Sequence, residues 1–221
     1  MKRVFPWLLA IGLVLPMLGA SAAGMGFQEG IEYQRITPAV PTSVGPGKVE
    51  VVELFWYGCP HCFHFEPDLL KWLKQKPKNV VFRRVPAALN PAWRVHAQAY
   101  YTAQVLGVLD KSHEAMFNAI HRQGMQLNTP DKLADFFTRF GVKPKEFLGV
   151  FNSFAVRAKL AEAQGLVRRY GADSVPTIVV DGKYRTNASM AGGSYQRMLQ
   201  VVDYLIAKET AAKKQEAASG Q

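Results

Sequence analysis

The chain has 221 residues, 48% of them hydrophobic, enough apolar material for one sizeable domain, which excludes a chain too polar to fold. Its formal charge of +10 comes from scattered Lys and Arg with no aromatic–basic recognition motif, so the reading is a solvated basic surface and no nucleic-acid binder. Cysteine is scarce: there are only two.

Lys2 and Arg3 precede an apolar run from Val4 to Leu18, broken by Pro6 and Pro16, and Gly19-Ala20-Ser21-Ala22-Ala23 follows. A short basic start, a short apolar core and an Ala-x-Ala end predict a cleavable signal peptide over residues 1–23, cut near Ala22 or Ala23. The run falls short of the roughly 20 residues a spanning helix needs. No later segment is apolar enough to span, so the mature chain is expected to be soluble, with a charge of +8 once Lys2 and Arg3 are gone.

Residues 24–47 are a Gly/Pro-rich lead-in with a short strand expected at Glu32 to Ile36. Lys48 to Tyr57 reads as a buried strand closed by Gly58, and a helix should start at Cys59-Pro60 and run to about Lys74, kinked at Pro67. Asn79 to Val85 is a second apolar strand, which makes a βαβ unit with a parallel pair. From about Asn90 to Gly171 the pattern is helical with regular Gly and Pro stops, including a helix from Thr129-Pro130 to Phe140. Val175 to Val180 returns to strand, Asp181-Gly182 is a hairpin turn before Lys183 to Thr186, and a last helix covers Ser194 to Glu209. The fold class is therefore α/β. Residues 24–89 and 172–209 form a discontinuous domain around an all-helical insertion at 90–171, and 210–221 is a flexible polar tail.

The two cysteines, Cys59 and Cys62, are separated by Pro60 and His61. A structural bridge would staple distant segments, whereas this pair closes a loop too small to constrain much of the unfolded chain. Thiol–disulfide exchange needs an attackable sulfur, a good leaving thiolate and a second thiol within reach. At the positive end of a helix Cys59 is the exposed nucleophile, Cys62 one turn in is the shielded resolving thiol, and His61 further favours the Cys59 thiolate. Stabilising that thiolate stabilises the reduced state and makes the disulfide more oxidising, by about 1.4 kcal/mol or roughly 30 mV per pKa unit below ambient pH. A zinc site wants four ligands, and His61, His64, His96, His113 and His121 show no second paired spacing. Haem attachment needs His after the second cysteine, where Phe63 stands. No metal and no cofactor beyond the cysteine pair is expected.

Two further features stand out. Glu53 lies six residues before Cys59 in an apolar strand, on the side of the approach to Cys59; it is either a buried acid relaying the proton of Cys62 or a strand-end Glu with a basic neighbour. Pro176 after Ser174-Val175 is either a plain strand-start proline or a cis residue that exposes the Val175 backbone to an extended substrate.

Cys59-Pro60-His61-Cys62 after an aromatic-rich strand, the inserted helical block and Val175-Pro176 before the late strand together resemble the DsbA family of bacterial periplasmic oxidases, over residues 30 to about 209. That family is itself a reference case for a low-pKa, strongly oxidising thiol pair, so this expectation comes with the resemblance. The resemblance implies a thioredoxin fold with Pro176 in cis and a buried acid at Glu53, whose basic partner stays open between Arg83 and Arg84. It also implies clients that are newly exported proteins with reduced cysteines, bound beside Cys59 at Val175 and Pro176. A quinone-linked inner-membrane oxidase of DsbB type would reoxidise the pair, and a monomer in the periplasm is expected. Isomerase or reductase action and a non-catalytic chaperone are the alternatives; residues 24–47 are too short for the dimerisation domain that isomerases of this fold use.

Overall fold

The computed structural model describes residues 26–220; the signal-peptide reading at 1–23 lies outside the described residues. A five-stranded sheet carries the order β1-β5-β4-β2-β3. At its centre is β2 (Val49–Phe55), parallel to β3 (Val80–Pro86) and antiparallel to β4 (Thr177–Val180). β5 (Tyr184–Asn187) and the two-residue β1 (Gln34–Arg35) complete the antiparallel edge. All seven residues of β2 are buried. That explains its run of Val, Leu and Phe without polar alternation: both of its faces are covered.

One face packs on α1 (Pro60–Gln75) and α7 (Tyr195–Ser219), where Val49 and Val51 meet Phe65, Leu69, Met198 and Leu205. On the other face Val52 and Leu54 join a core shared with helices inserted between β3 and β4. These are α2 (Pro91–Val105), α3 (Leu109–His121), α4 (Pro130–Phe137), α5 (Pro144–Phe151) and α6 (Phe154–Arg169). Side chains of Asn90, Thr129 and Ser153 cap three of them by accepting from Trp93, Lys132 and Val156 amides. The expected parallel β2–β3 pair and the helical insertion are both present.

Two expectations need correction. The helix read from Pro130 to Phe140 ends at Phe137, and a 3₁₀ turn at Thr138–Phe140 finishes it before Gly141 at φ 82°. The last helix does not stop at Glu209 and leave 210–221 as a tail; α7 continues to Ser219. Ala211, Ala212, Ala217 and Ala218 favour helix, and the first added turn is anchored: Lys213 Nζ lies 3.0 Å from the buried carboxylate of Asp181. Buried Glu209 likewise pairs with Lys183 across the β4–β5 turn. Polarity at 210–221 was a poor guide, because the partners of these charges are some thirty residues away in sequence.

That turn is the hairpin expected from Asp181-Gly182, with φ 52° and 63° and the Lys183 amide donating to Val180 O at 3.0 Å. Gly182 is required twice over, since a Cβ there would meet Val40 O at 2.0 Å in a left-handed backbone. Gly182→Ala should therefore destabilise the protein by about 2–4 kcal/mol, read as a drop in the urea midpoint at unchanged m-value.

Candidate active site

Cys59 is the N-cap of α1, with φ −86° and ψ 116°, and Pro60 occupies the first turn, where its missing N–H costs nothing. At such a position Ser or Asp would accept from the first free amides of the helix; here the Cys59 sulfur stands beside those amides without a capping hydrogen bond to them. The Cys59 thiol is pulled down to about 6, first by the hydrogen bond from the Cys62 thiol. Burial opposes this, and the amides of Cys62 and His61 and then the His61 charge add to it. The helix-end and histidine effects read from the sequence are present, but the largest contribution is the neighbouring thiol. Burial drives Cys62 the other way, well above the usual thiol value, helped by its donation to Cys59 and by the charges of Cys59 and Glu53. Cys62 is sealed and Cys59 keeps a 7% opening, so the expected exposed nucleophile is instead recessed.

Around this pair the chain closes tightly. The Val175–Pro176 peptide is cis, and Val175 O lies 3.5 Å from Cys59 Sγ, within reach of the thiol. Pro176 is buried, Val175 half-buried, and β4 starts one residue later. His61 is exposed, and its Nδ1 lies 3.5 Å from the Tyr195 hydroxyl at the start of α7. The sequence reading missed Tyr195, which comes to the site from 134 residues away. Gly58 has a packing reason as well: a Cβ there would fall 2.3 Å from the ring of Trp56, which stacks on Trp93 at 4.5 Å.

Glu53 is fully buried, not at an exposed strand end. The open choice of its partner is settled by strand register: Glu53 stands opposite Arg84, whose Nε donates to Oε2 at 2.9 Å. Arg83 points to the other face and pairs with Glu50 at 3.1 Å. Burial raises the Glu53 carboxyl to about 8, against the pull of Arg84 and with the nearby charge of Glu66 adding to the rise. Glu66 itself shares Arg84, with both its oxygens 3.1 Å from the guanidinium. Sequence reasoning passed over it, although it sits one turn after Cys62 on the same helix face. His113 was weighed only as a metal ligand; in α3 it shares a buried stripe with Met116 and Phe117, and its Nε2 reaches Glu66 at 3.3 Å. Among the described residues no cluster of three or more His, Cys, Asp or Glu side chains is arranged to hold a metal ion. The redox group is the Cys59–Cys62 pair, present here as free thiols.

Comparison with known proteins gives a consistent result. Residues 50–205 match the model of the DSBA-like thioredoxin domain. The thiol:disulfide interchange protein DsbA of Pseudomonas aeruginosa is 42% identical over 207 residues, covering 94% of this chain and 97% of that one. Its namesake from Azotobacter vinelandii is 40% identical and covers 96% and 100%. Among solved structures, Pseudomonas aeruginosa DsbA has a TM-score of 0.79 at 45% identity, covering 85% of this chain and 97% of its own. The oxidoreductase DsbA from Xylella fastidiosa has 0.77 at 38%, covering 83% and 98%. With its cysteine pair at the start of α1 and its helices inserted into a thioredoxin fold, the chain belongs to the DsbA family of thiol:disulfide oxidoreductases.

Proposed function

We propose that the protein oxidises newly exported proteins in the periplasm by donating the Cys59–Cys62 disulfide through a mixed disulfide at Cys59. A quinone-linked inner-membrane oxidase of DsbB type then reoxidises it. The observation that carries this reading is the opposite treatment of the two sulfurs: Cys59 is lowered to about 6 and Cys62 raised. A Cys59 thiolate favours the reduced enzyme, an advantage complete above the ordinary thiol value and lost as pH falls through about 6. At pH 7 it amounts to at most about 1.4 kcal/mol, reduced by solvent screening at the Cys59 opening. The disulfide is correspondingly the less stable form, and electrons flow from client to enzyme.

In the first step a client thiolate attacks Cys59 Sγ, the Cys59–Cys62 bond breaks, and its electron pair goes to Cys62. Cys62 is a poor thiolate and needs a proton, which Glu53 supplies; with its carboxyl raised to about 8, Glu53 holds that proton at neutral pH. In the second step the other client thiolate attacks the client sulfur of the mixed disulfide. Cys59 then leaves as its favoured thiolate, and the client holds the disulfide. Val175 and Pro176 form the binding edge beside Cys59, where the client backbone would lie extended. Reoxidation runs the same exchange against the partner's disulfide, with Glu53 taking the Cys62 proton back.

Cys62→Ser should accumulate client-linked mixed disulfides on non-reducing gels, and Cys59→Ser should form none. Equal trapping by both variants would contradict the assignment of Cys59 as the attacked sulfur. Glu53→Gln should slow the reaction of oxidised enzyme with a reduced dithiol peptide by roughly 10²-fold at pH 7. Glu53 loses its proton above about pH 8. The wild-type to variant rate ratio, followed by stopped-flow fluorescence, should therefore fall as pH rises through that value, and a ratio independent of pH removes Glu53 from the step.

A further inference from the structure

Behind the cysteine pair, one guanidinium serves two buried carboxylates. Arg84 gives Nε to Glu53 at 2.9 Å and a terminal nitrogen to Glu66 at 3.1 Å. Among the described residues Glu53 Oε1 has no hydrogen-bond partner. Two carboxylates against one cation leave an excess negative charge in a desolvated site, and a single shared proton relieves it. Whether Glu53 can serve Cys62 depends on which carboxyl holds that proton.

The helical insertion answers this. His113, on α3, places Nε2 3.3 Å from Glu66 Oε1 and Nδ1 2.7 Å from the Tyr57 hydroxyl. Both side chains are buried, and burial keeps the histidine below the usual imidazole range and the tyrosine well above the usual phenol range. At neutral pH the ring is therefore uncharged with one N–H, and Tyr57 keeps its hydrogen. If Tyr57 donates to Nδ1, the ring hydrogen sits on Nε2 and points at Glu66. The reverse tautomer would set the Nε2 lone pair against a carboxylate already bound by Arg84 through both oxygens, which is repulsive. We propose that His113, oriented by Tyr57, is a positioning residue that keeps Glu66 ionised and so leaves the shared proton on Glu53, ready for Cys62.

The balance of shifts agrees. Burial pushes Glu66 up, yet the His113 hydrogen bond and the charge of Arg84 outweigh it and leave Glu66 low, while Glu53, without a histidine, is raised. The groups that face this proton are known from every packed element. β2 supplies Glu53, the turn after it supplies Tyr57, β3 supplies Arg84, and α1 supplies Cys62 and Glu66. From α2 comes Tyr100, its hydroxyl 3.4 Å from Arg84 O, and from α3 come His113 with Glu114 and Asp110 nearby. A cleft of about 530 Å³ between the sheet and the insertion is lined by Glu66, Arg84 and His113 together with Lys159 and Glu162 of α6.

The inference rests on Glu53 acting as the proton donor to Cys62, and the test separates the two. Carbon-13 carboxyl NMR of glutamate-labelled reduced protein would titrate Glu53 and Glu66, assigned with Glu53→Gln and Glu66→Gln. His113→Leu should move the Glu53 midpoint acidward and the Glu66 midpoint upward, each by about one pH unit. His113→Gln, whose amide N–H can still donate to Glu66, should recover at least half of that change. Tyr57→Phe should shift both midpoints the same way by a smaller amount. Midpoints unchanged from wild type in folded His113→Leu overturn the proposal. If that variant does not fold, unchanged midpoints in Tyr57→Phe do so. If the midpoints move as expected while the pH profile of peptide oxidation stays put, His113 keeps its role and the proton-donor reading of Glu53 fails.

Discussion

The placing of the Cys62 thiol beside the Cys59 sulfur at the mouth of α1 sets the terms for the rest of the site. It stabilises the Cys59 thiolate more than any other contact does, and it requires Cys62 to keep its proton. The fold enforces both halves. Strand β2 delivers Cys59 to the helix start, where amides are free, and the next turn carries Cys62 under apolar cover. Two thiols of one intrinsic chemistry are thus split into a leaving group and a proton holder, and a proton holder sealed from water needs an internal partner. Glu53 meets that need, and a buried carboxyl is tolerable there because strand register sets Arg84 beside it.

The inserted helices contribute to the site itself as well as covering the sheet. Helix α3 sends His113 to the Glu66–Arg84 network and His121 to the main chain, where its Nε2 lies 2.7 Å from Tyr57 O. Tyr57 is held by side chain and by carbonyl two residues before Cys59. The His121 ring also stacks on Phe63, directly after Cys62, at 4.9 Å and 16°. Ring and hydrogen-bond contacts from one helix therefore brace both flanks of the cysteine run. Apolar packing alone would leave the strand end free to adjust, whereas a directed hydrogen bond has a defined length and angle.

Local features were legible in the sequence because their causes are local. Proline at the first turn, glycine after the strand, two cysteines one turn apart and the Asp181-Gly182 turn each act within a few residues. The resemblance then supplied the cis Val175–Pro176 bond and raised the standing of Glu53. What stayed hidden depends on register and long-range approach. Choosing Arg84 over Arg83 requires knowing which face of β3 meets α1, and a one-residue slip would exchange them. Tyr195, His113 and the Lys213–Asp181 pair join segments that only the folded sheet brings together. Glu66 was closer to view: a carboxylate one turn below a buried cysteine in an otherwise apolar stripe asks for a cation.

The central claim is that Cys59 is a thiolate at neutral pH and Cys62 is not, and that this difference makes the disulfide oxidising. The most direct test is the reduction potential of the purified protein against glutathione, measured from pH 4 to pH 9. Where reduction takes up two protons the potential should fall by roughly 60 mV per pH unit, and where it takes up one, by roughly 30 mV. The account expects the slope to halve near pH 6, where Cys59 titrates, with a potential at pH 7 well above that of a reducing thioredoxin. A single two-proton slope continuing through pH 8, with a thioredoxin-like potential, would contradict it.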